Sequence, residues 1–198
     1  MNLLFESEKS EIPQIGGLTY IPNFITKDQE DDLLRSLDKQ EWLNDLKRRV
    51  QHYGYKYDYK SRSINKESYL GKLPKWLSPI QEQLIKQSIF QAKPDQAIIN
   101  EYEPGQGISP HVDCIPCFGN VIASLSLISG ATMQFINFNT KEKQGIYLKP
   151  RSLIVLSDAA RYNQQHSIPA RKSDRVDGNK LIRKRRVSIT FRNVIFND

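Results

Sequence analysis

The change in hydrophobic periodicity at about residue 97 restricts the possible folds more than any other feature of this sequence. Before it, helical spacing predicts one helix over TKDQEDDLLRSLDK, opened by a capping box of Thr26 and Gln29, and another between Trp76 and Phe90. After it, short apolar runs alternate with turn residues, which is typical of strands. Helices followed by many short strands indicate an α+β protein whose core is a sandwich or a barrel.

The predicted strands are separated by turns and polar loops. They are GLTYIPNF, the alternating segment 49–59, AIINEYE, VIASLSLI, TMQFINF, GIYLK, SLIVL and RVSITFRNVIF. In segment 49–59 the alternation predicts that the four tyrosines at positions 53, 55, 57 and 59 share one face of a strand. Residues 170–181 are predicted to form a polar loop. At 198 residues, the chain is expected to be a single domain spanning 1–198.

Composition excludes several classes of protein. The chain is 38% apolar and 26% charged, as in ordinary globular proteins, and no run approaches the roughly 20 apolar residues of a membrane span. Its start, MNLLFESEKSEI, is acidic and unlike a secretory signal. Two cysteines, Cys114 and Cys117, are too few for a disulfide framework. We expect a monomer without a membrane partner, located in the cytoplasm or, in a eukaryote, also in the nucleus.

Positive charge is concentrated in one part of the chain. The formal net charge is +7, and the segment from Arg161 to Arg192 holds ten Lys/Arg against two acids, or +8, which leaves about −1 for the remainder. A local excess of this kind is typical of a face that meets a polyanion. A solvated loop that keeps the protein soluble would give the same count, so charge alone decides nothing.

A candidate metal site begins at His111-Val-Asp113, after the turn PGQG. Side chains at positions i and i+2 project to the same side of an extended chain, so both can reach one ion. A solvated His-x-Asp loop is common by chance, and a third ligand is needed; His166, 53 residues after Asp113, is the candidate. Two histidines and one carboxylate match the facial triad of non-haem iron(II) oxygenases.

The last predicted strand supplies an independent signal. Arg186, Ser188, Thr190 and Arg192 are predicted to lie on one face of it, opposite an apolar face. A polar face is also what a surface edge strand would show. Two arginines on one face can instead clamp a dicarboxylate, because guanidinium binds carboxylate bidentately and keeps its charge when buried. Neutral hydrogen bonds to the same ligand could come from Asn100 and Tyr102. A dicarboxylate that also chelates iron is 2-oxoglutarate.

Taken in order, these motifs resemble the signature of the AlkB family of Fe(II)/2-oxoglutarate-dependent dioxygenases. They are Asn100-Glu-Tyr102-Glu-Pro-Gly, His111-Val-Asp113, His166 and Arg186-Val-Ser-Ile-Thr-Phe-Arg192. The resemblance covers nearly the whole chain, and RRVQHYGYKYDY, NEYEPGQGISPHVD and ASLSLISG look most like the oxygenase module of the animal tRNA wobble-uridine hydroxylase. It implies a double-stranded β-helix (jelly-roll) core at about 96–198. It also implies an N-terminal extension and a nucleotide-recognition lid at about 1–95.

The resemblance also implies a role for each matched residue. His111, Asp113 and His166 would bind iron(II), with 2-oxoglutarate and O₂ as co-substrates. The family positions that contact or line the 2-oxoglutarate site correspond to Asn100, Tyr102, Ser124, Arg186, Ser188, Thr190 and Arg192. Arg192 would pair with the carboxylate beside the keto group. Ser188 stands where many bacterial members have Asn, which alters the hydrogen bonds around the site and leaves binding possible.

The implied activity is oxidative demethylation or hydroxylation of a nucleic-acid base, in repair of alkylated DNA or RNA or in tRNA modification. Single-stranded DNA or RNA, with tRNA among the candidates, would therefore be the partner. Substrate contacts are expected from Arg49, Tyr53, Tyr55 and Arg161, although the tyrosine face could equally pack on the core.

Two alternatives to a nucleic-acid oxygenase stay open at the level of sequence. A related oxygenase could act on a protein or a small molecule, and a binding module could keep the fold without activity. The intact iron and 2-oxoglutarate residues argue against the second of these. Cys114 and Cys117 form a C-x-x-C, but a zinc site would need two further ligands, so we expect two loop cysteines without partner chemistry.

Overall fold

The computed structural model of the chain describes residues 12–44 and 46–196. The opening segment 1–11, for which the sequence predicts loose organisation, lies outside the described residues. The helices and strands in chain order are β1 (Leu18–Ile21), α1 (Lys27–Leu37), β2 (Arg49–Tyr53), α2 (Ser78–Lys86), β3 (Gln96–Tyr102), β4 (Ile108–His111), β5 (Ile122–Leu127), β6 (Ala131–Asn137), β7 (Lys143–Leu148), β8 (Leu153–Leu156), α3 (Asp158–Tyr162), β9 (Gln164–Ile168), β10 (Ser173–Val176), β11 (Asn179–Ile182) and β12 (Arg186–Arg192). Among the helices so described, none has the length and apolar character to cross a membrane.

The strands form two antiparallel sheets that face each other, and a separate hairpin. The larger sheet has the order β1-β8-β5-β12-β3-β2, the smaller one β4-β9-β6-β7, and β10 pairs only with β11. One apolar cluster lies between the larger sheet and helices α1 and α2, and a second lies between the two sheets. The predicted α+β class with a jelly-roll-like core is therefore confirmed. The structure does not identify a lid.

Helix α1 begins where its capping residues predict. The Thr26 side chain accepts a hydrogen bond from the Gln29 backbone N–H, and the Gln29 side chain accepts one from the Thr26 N–H. Leu33 and Leu37, one helical turn apart, are buried against the larger sheet. Apart from Glu30, which is buried and pairs with Arg151, the charged residues of α1 lie on its exposed or partly exposed side, so the amphipathic pattern indicates which side of α1 covers the sheet.

Helix α2 is shorter than the sequence predicts. It follows a 3₁₀ turn at Lys75–Leu77, has a proline in its first turn, and ends at Lys86 rather than at Phe90. Ser88 adopts a left-handed backbone conformation with φ of 56°, which is incompatible with a continuing helix. Phe90 is buried in the cluster below the helices, so its apolar character reflects core packing in the segment that follows α2.

Strand β12 lies in the middle of the larger sheet, paired with β3 on one side and β5 on the other. Val187, Ile189 and Phe191 point into the apolar cluster under the helices. The alternate residues face the smaller sheet and line the cavity described below. The alternative of a surface edge strand is therefore wrong, and the polar face of β12 is buried.

The alternating tyrosines do not share one face, in contrast to the prediction. Strand β2 ends at Tyr53 because Gly54 has φ of 78°, and a Cβ on Gly54 would lie 1.8 Å from the backbone oxygen of Asp95. This close approach turns the chain after Tyr53. The Tyr53 ring packs edge-on against Trp76, whereas the later tyrosines lie on a different surface.

The predicted polar loop 170–181 contains the hairpin of β10 and β11 instead. Buried Asp174 fixes its base by accepting hydrogen bonds from Arg183 at 2.5 and 2.8 Å. Apart from Asp174, the hairpin is exposed on both faces. Its residues are therefore mostly polar or charged, and the sequence shows no apolar pattern from which the strands could be predicted.

Candidate active site

A cavity lies between the two sheets, and its walls come from both. All the residues predicted to bind metal or 2-oxoglutarate line it. From the larger sheet come Asn100, Tyr102, Ser124, Arg186, Ser188, Thr190 and Arg192, and from the β4–β9 side come His111, Asp113 and His166. Apolar side chains such as Met133 and Leu156, which the sequence analysis did not assign to the site, complete the walls. We call this space the inner cavity.

The three candidate metal ligands meet at one end of the inner cavity. Strands β4 and β9 pair in a register that places His111 directly opposite His166, so the two rings have their centroids 4.4 Å apart. Asp113 follows β4 by two residues, and its Oδ2 lies 3.6 Å from Nε2 of His166. One ligand atom from each residue lies within 4.8 Å of the other two. His111 Nδ1 lies 2.8 Å from the Ser109 carbonyl oxygen, to which it can donate, which leaves Nε2 for a metal.

Burial and neighbouring charge set the protonation of these ligands. Burial alone would raise the pKa of Asp113, but the Arg192 guanidinium beside it holds that pKa far below the ordinary range. Burial lowers the pKa of His166 to about 4. Near pH 7 the site therefore presents a carboxylate and a neutral imidazole, the forms that bind a metal ion.

Arg186 carries a buried charge that no described acidic residue neutralises. It is 4% exposed, its Nη2 donates to Ser126 Oγ at 2.8 Å, and its guanidinium lies 5.5 Å from the centre of the Tyr102 ring. The Nε–H is buried without a hydrogen-bond partner among the described residues. Burial lowers the pKa of Arg186 because the charged form is poorly solvated. An anionic ligand in the cavity would satisfy this group.

Arg192 lies at the metal end of the same strand face. Its Nη2 donates to Asp113 Oδ1 at 2.7 Å and its Nη1 to Gln96 Oε1 at 3.2 Å. Its Nε–H, like that of Arg186, is buried without a partner among the described residues. The two arginines therefore stand at the two ends of β12, each with a donor left for a carboxylate.

Hydrogen-bonding groups without charge lie between the two arginines. Ser124 Oγ and Thr190 Oγ1 are 3.1 Å apart across the β5–β12 pair. Asn100 Oδ1 accepts a hydrogen bond of 2.8 Å from Arg48 Nε. Because Arg48 can only donate, this bond holds the Asn100 oxygen on the Arg48 side and leaves the amide NH₂ free to donate elsewhere.

The residues present fit iron(II) together with 2-oxoglutarate. Two imidazoles and one carboxylate on neighbouring strand ends form the donor set of a non-haem iron(II) centre. Two buried guanidinium groups with unused N–H donors fit the two carboxylates of a dicarboxylate.

A second, wider space, the outer cavity, opens from the metal end to the surface. It shares Asn100, His111, Asp113 and Arg192 with the inner cavity. Its other walls include aromatic side chains and cations, namely Tyr57, Tyr59, Phe118, Phe138, Lys47, Arg48 and Arg62. The Tyr57 ring lies 5.1 Å from that of Tyr59 and 5.9 Å from that of Phe118. Arg62, which the sequence analysis missed, lies in an irregular segment without any periodic signal.

All four predicted substrate contacts lie outside both cavities. Arg49 forms an ion pair with Glu101, with Nε 2.5 Å from Oε2, and its guanidinium lies over the Trp42 ring. Tyr53 packs towards the helices. Tyr55 contacts Tyr69 on the outer surface. The turn at Gly54 separates Arg49 and Tyr53 from the later tyrosines, of which Tyr57 and Tyr59 line the outer cavity.

Arg161 also lies outside both cavities, and it supports the metal-site loop from behind. It is 2% exposed, and its guanidinium donates to the backbone oxygens of Asp113 at 2.9 Å, Cys114 at 3.2 Å and Phe118 at 3.5 Å. The structure therefore gives Arg161 a different place from the substrate contact that the sequence predicted.

The loop after the metal ligand Asp113 is closed by a disulfide. Cys114 and Cys117 are bonded, with their Cα atoms 5.3 Å apart, because the Cys117 N–H turns back to the Cys114 oxygen. The expectation of two cysteines without partner chemistry is therefore wrong in this structure, and a zinc site at the pair is excluded by the same bond.

The basic segment is only partly a surface feature. Of its ten cations, Arg161, Arg183, Arg186 and Arg192 are buried, and Arg185 pairs with Glu101 and Asp38. The exposed cations are Lys172, Arg175, Lys180 and Lys184. Both interpretations of the charge count therefore concern only the exposed cations, because the buried ones lie in the interior of the protein.

The chain is similar to known proteins in family and in fold. Residues 17–192 match the 2OG-Fe(II) oxygenase superfamily. A solved structure described as "The structure of OsALKBH1" superposes with a TM-score of 0.72 at 17% identity, and the match covers 92% of this chain and 99% of that one. At this identity, the likeness concerns the fold.

Three relatives match along most of this chain. An uncharacterised protein of Acanthamoeba polyphaga mimivirus is 43% identical over 182 residues, covering 91% of this chain and 86% of that protein. The "Alkylated DNA repair protein ALKBH8 homolog" of Arabidopsis thaliana is 39% identical, covering 91% of this chain and 59% of that protein. The mouse "tRNA (carboxymethyluridine(34)-5-O)-methyltransferase ALKBH8" is 36% identical, covering 90% and 30%. The chain thus spans less than two thirds of the plant and mouse proteins.

Proposed function

Since the chain belongs to the 2OG-Fe(II) oxygenase superfamily, in its AlkB branch, and is an Fe(II)/2-oxoglutarate-dependent dioxygenase, we propose that it oxidises a base in single-stranded or looped nucleic acid. We further propose that residues 1–198 act as a single domain. The reaction would remove an N-methyl group in repair of alkylated DNA or RNA, or add a hydroxyl group to a modified tRNA base. The names of the plant and mouse relatives support these two classes.

The observation that carries the assignment of the co-substrate is the buried guanidinium of Arg186. An unpaired charge at this depth is strongly unfavourable in the free protein. A dicarboxylate reaching from Arg186 to Arg192 would pair both cations and use both unpartnered Nε–H groups. We assign Asn100, Tyr102, Ser124, Ser188 and Thr190 to the hydrogen bonds and the walls around it.

His111, Asp113 and His166 would hold the iron on one side. When bound, iron(II) with 2-oxoglutarate and O₂ supplies the oxidising power for cleaving a C–H bond of the substrate. Met133 and Leu156 exclude water from the inner cavity. Arg192 keeps Asp113 ionised, and therefore able to bind the metal, down to low pH.

The outer cavity favours nucleic acid over a protein or a small neutral molecule. Lys47, Arg48 and Arg62 line it without a carboxylate partner among the described residues, and its one acid, Asp113, is paired with Arg192. Phosphate groups would complement these cations. The partly exposed ring of Tyr57 offers an aromatic surface for a base that has left its stack.

The proposal is tested by reconstituting the protein with iron(II), 2-oxoglutarate and ascorbate without oxygen, and then admitting air with total tRNA or methylated single-stranded DNA. Mass spectrometry of the digested nucleosides reports the reaction, and succinate reports turnover. Loss of a methyl group indicates repair-type demethylation, and a gain of one oxygen indicates hydroxylation of a modified base.

His111→Ala is the matched control, because it removes one ligand and leaves the buried Asp113–Arg192 pair intact. We expect no succinate and no change in nucleosides from this variant, with an unchanged circular dichroism spectrum. Substantial succinate from His111→Ala would overturn the metal assignment. Succinate from the parent protein with both nucleoside pools unchanged would refute the nucleic-acid substrate and favour a protein or small molecule.

A further inference from the structure

A second group of aromatic rings lies on the surface beside the outer cavity. The Tyr55 ring lies 5.0 Å from that of Tyr69 and 5.7 Å from that of Phe196. Tyr69 is 50% exposed, and the adjacent Leu70 and Ile195 are 56% and 38% exposed. None of these side chains lines the inner or the outer cavity. We call the surface formed by Tyr55, Tyr69 and Phe196 the aromatic platform.

Two chain segments connect the platform to the wall of the outer cavity. Tyr57 in that wall is two residues from Tyr55. Phe118, also in the wall, forms a β-bridge with Val194, which is two residues from Phe196. Two residues of chain reach at most about 7 Å, roughly the length of two stacked nucleotides at 3.4 Å each along one strand. The platform therefore lies within reach of the nucleotides next to one bound in the cavity.

In the segment that carries Tyr55 and Tyr69, exposed cations outnumber acids, while Asp95 is an acid close to Tyr55. Segment 55–75 contains six Lys/Arg against two acids, Asp58 and Glu67, and all six cations are exposed. The ammonium of Lys66 lies 6.0 Å from the centre of the Phe196 ring. Aromatic rings among exposed cations are typical of surfaces that bind single-stranded nucleic acid, since every base has a face that can stack.

We propose that the aromatic platform stacks a base one or two nucleotides away from the target base in a single-stranded segment. This inference rests on the proposed nucleic-acid substrate and adds a second contact to it. The cavity selects the target base, and the platform binds its neighbour whatever the sequence. The protein then requires a strand of several nucleotides, and a free modified nucleoside lacks one of the two contacts.

The test measures binding of a fluorescein-labelled nine-nucleotide single-stranded RNA to the full chain, loaded with Mn²⁺ and 2-oxoglutarate without oxygen. Tyr69→Ala is expected to weaken binding by about 5- to 100-fold, the loss of one base–aromatic stack. Tyr69→Phe keeps the ring and should bind like the parent protein. Tyr69→Leu keeps apolar area without a ring and should resemble Tyr69→Ala.

Abasic nucleotides placed singly along the RNA identify the stacked base. At the position that meets the platform, an abasic site should weaken binding to the parent and have little further effect on Tyr69→Ala. Equal affinity of Tyr69→Ala and the parent for every RNA would overturn the platform while leaving the proposed function intact. Absence of RNA and DNA binding by the parent would overturn both. Self-association of the parent that Tyr69→Ala abolishes, with RNA affinity unchanged, would show that a second copy covers the rings.

Discussion

Replacement of Arg161 separates its structural role from a role in substrate contact. The Arg161→Met variant keeps the length and most of the apolar volume of the side chain and removes every donor. In the parent, two guanidinium hydrogen bonds reach the backbone oxygens of Asp113 at 2.9 Å and Cys114 at 3.2 Å. Both oxygens belong to the loop that carries a metal ligand, so the variant should loosen that loop.

The magnitude follows from the hydrogen bonds that are lost and the charge that is removed. Hydrogen bonds from a charged donor contribute about 1.5–3 kcal/mol each, so the two shorter bonds give a gross loss of about 3–6 kcal/mol. Removing a buried charge whose Nε–H has no partner returns about 1–3 kcal/mol. We expect a net loss of about 2–4 kcal/mol in the free energy of unfolding, and a loss of about 3 kcal/mol lowers Tm by about 6–12 °C in a chain of this size.

Urea unfolding of the metal-free protein measures this loss, and titration with Co²⁺ measures the metal site. The variant should be less stable and bind metal more weakly, and activity should be largely recovered at saturating iron(II) in the cold. Arg161→Lys keeps the charge and can donate to fewer oxygens. Its stability and its affinity for Co²⁺ should therefore lie between those of the parent protein and those of Arg161→Met. The reasoning is refuted if Arg161→Met is as stable as the parent and binds Co²⁺ equally well but no longer oxidises nucleic acid. That result would place the arginine against the target base.

Two further substitutions test buried charges. Arg186→Met should raise the Tm of the ligand-free protein, because an unpartnered buried cation is removed. The variant should also lose the increase in Tm that 2-oxoglutarate gives the parent protein. If 2-oxoglutarate still stabilises the variant, Arg186 does not belong to the binding site. Asp174→Asn should cost about 3–5 kcal/mol at pH 7, because Arg183 loses its buried partner. Burial raises the pKa of Asp174, but the Arg183 hydrogen bonds outweigh it and hold that pKa below the ordinary 3.8. The advantage of the parent should therefore be complete above about pH 5 and shrink as the pH falls below 3.8. Urea midpoints measured from pH 7 to pH 3 check this, and a difference that grows towards low pH would contradict it.

The cavity-lining side chains that share one extended segment could be predicted because their relative geometry is local. In β12 and at His111 and Asp113, alternation along one extended segment decides which side chains point the same way. The two arginines therefore share a face whatever the rest of the chain does. Pairing with the partner strands sets only the distance between facing side chains, and that distance hardly varies from one sheet to another.

The substrate side depends on contacts between distant parts of the chain, and local patterns could not predict it. Strand β2 ends at Gly54 because Asp95, 41 residues later, lies against it. As a result, Tyr55 and Tyr57 do not lie on the strand face that the alternating pattern predicted for them. In the sequence, Arg161 resembles an exposed cation of a helix. It is buried because the loop after Asp113 folds over it. The β10–β11 hairpin depends on the pairing of Asp174 with Arg183, and composition alone makes that stretch resemble a solvated loop.

The central place of β12 has a consequence for biosynthesis. This strand is the last of the described chain to leave the ribosome, yet it joins β3 and β5, which are made much earlier. Until β12 has emerged, the larger sheet exists as two unconnected pieces, and a nascent chain that ends before residue 186 lacks both cavity arginines. Assembly of the sheet and acquisition of the co-substrate site are therefore one late event. A chain interrupted before β12 would contain His111, Asp113 and His166 but lack Arg186 and Arg192, which we propose to pair with the two carboxylates of 2-oxoglutarate.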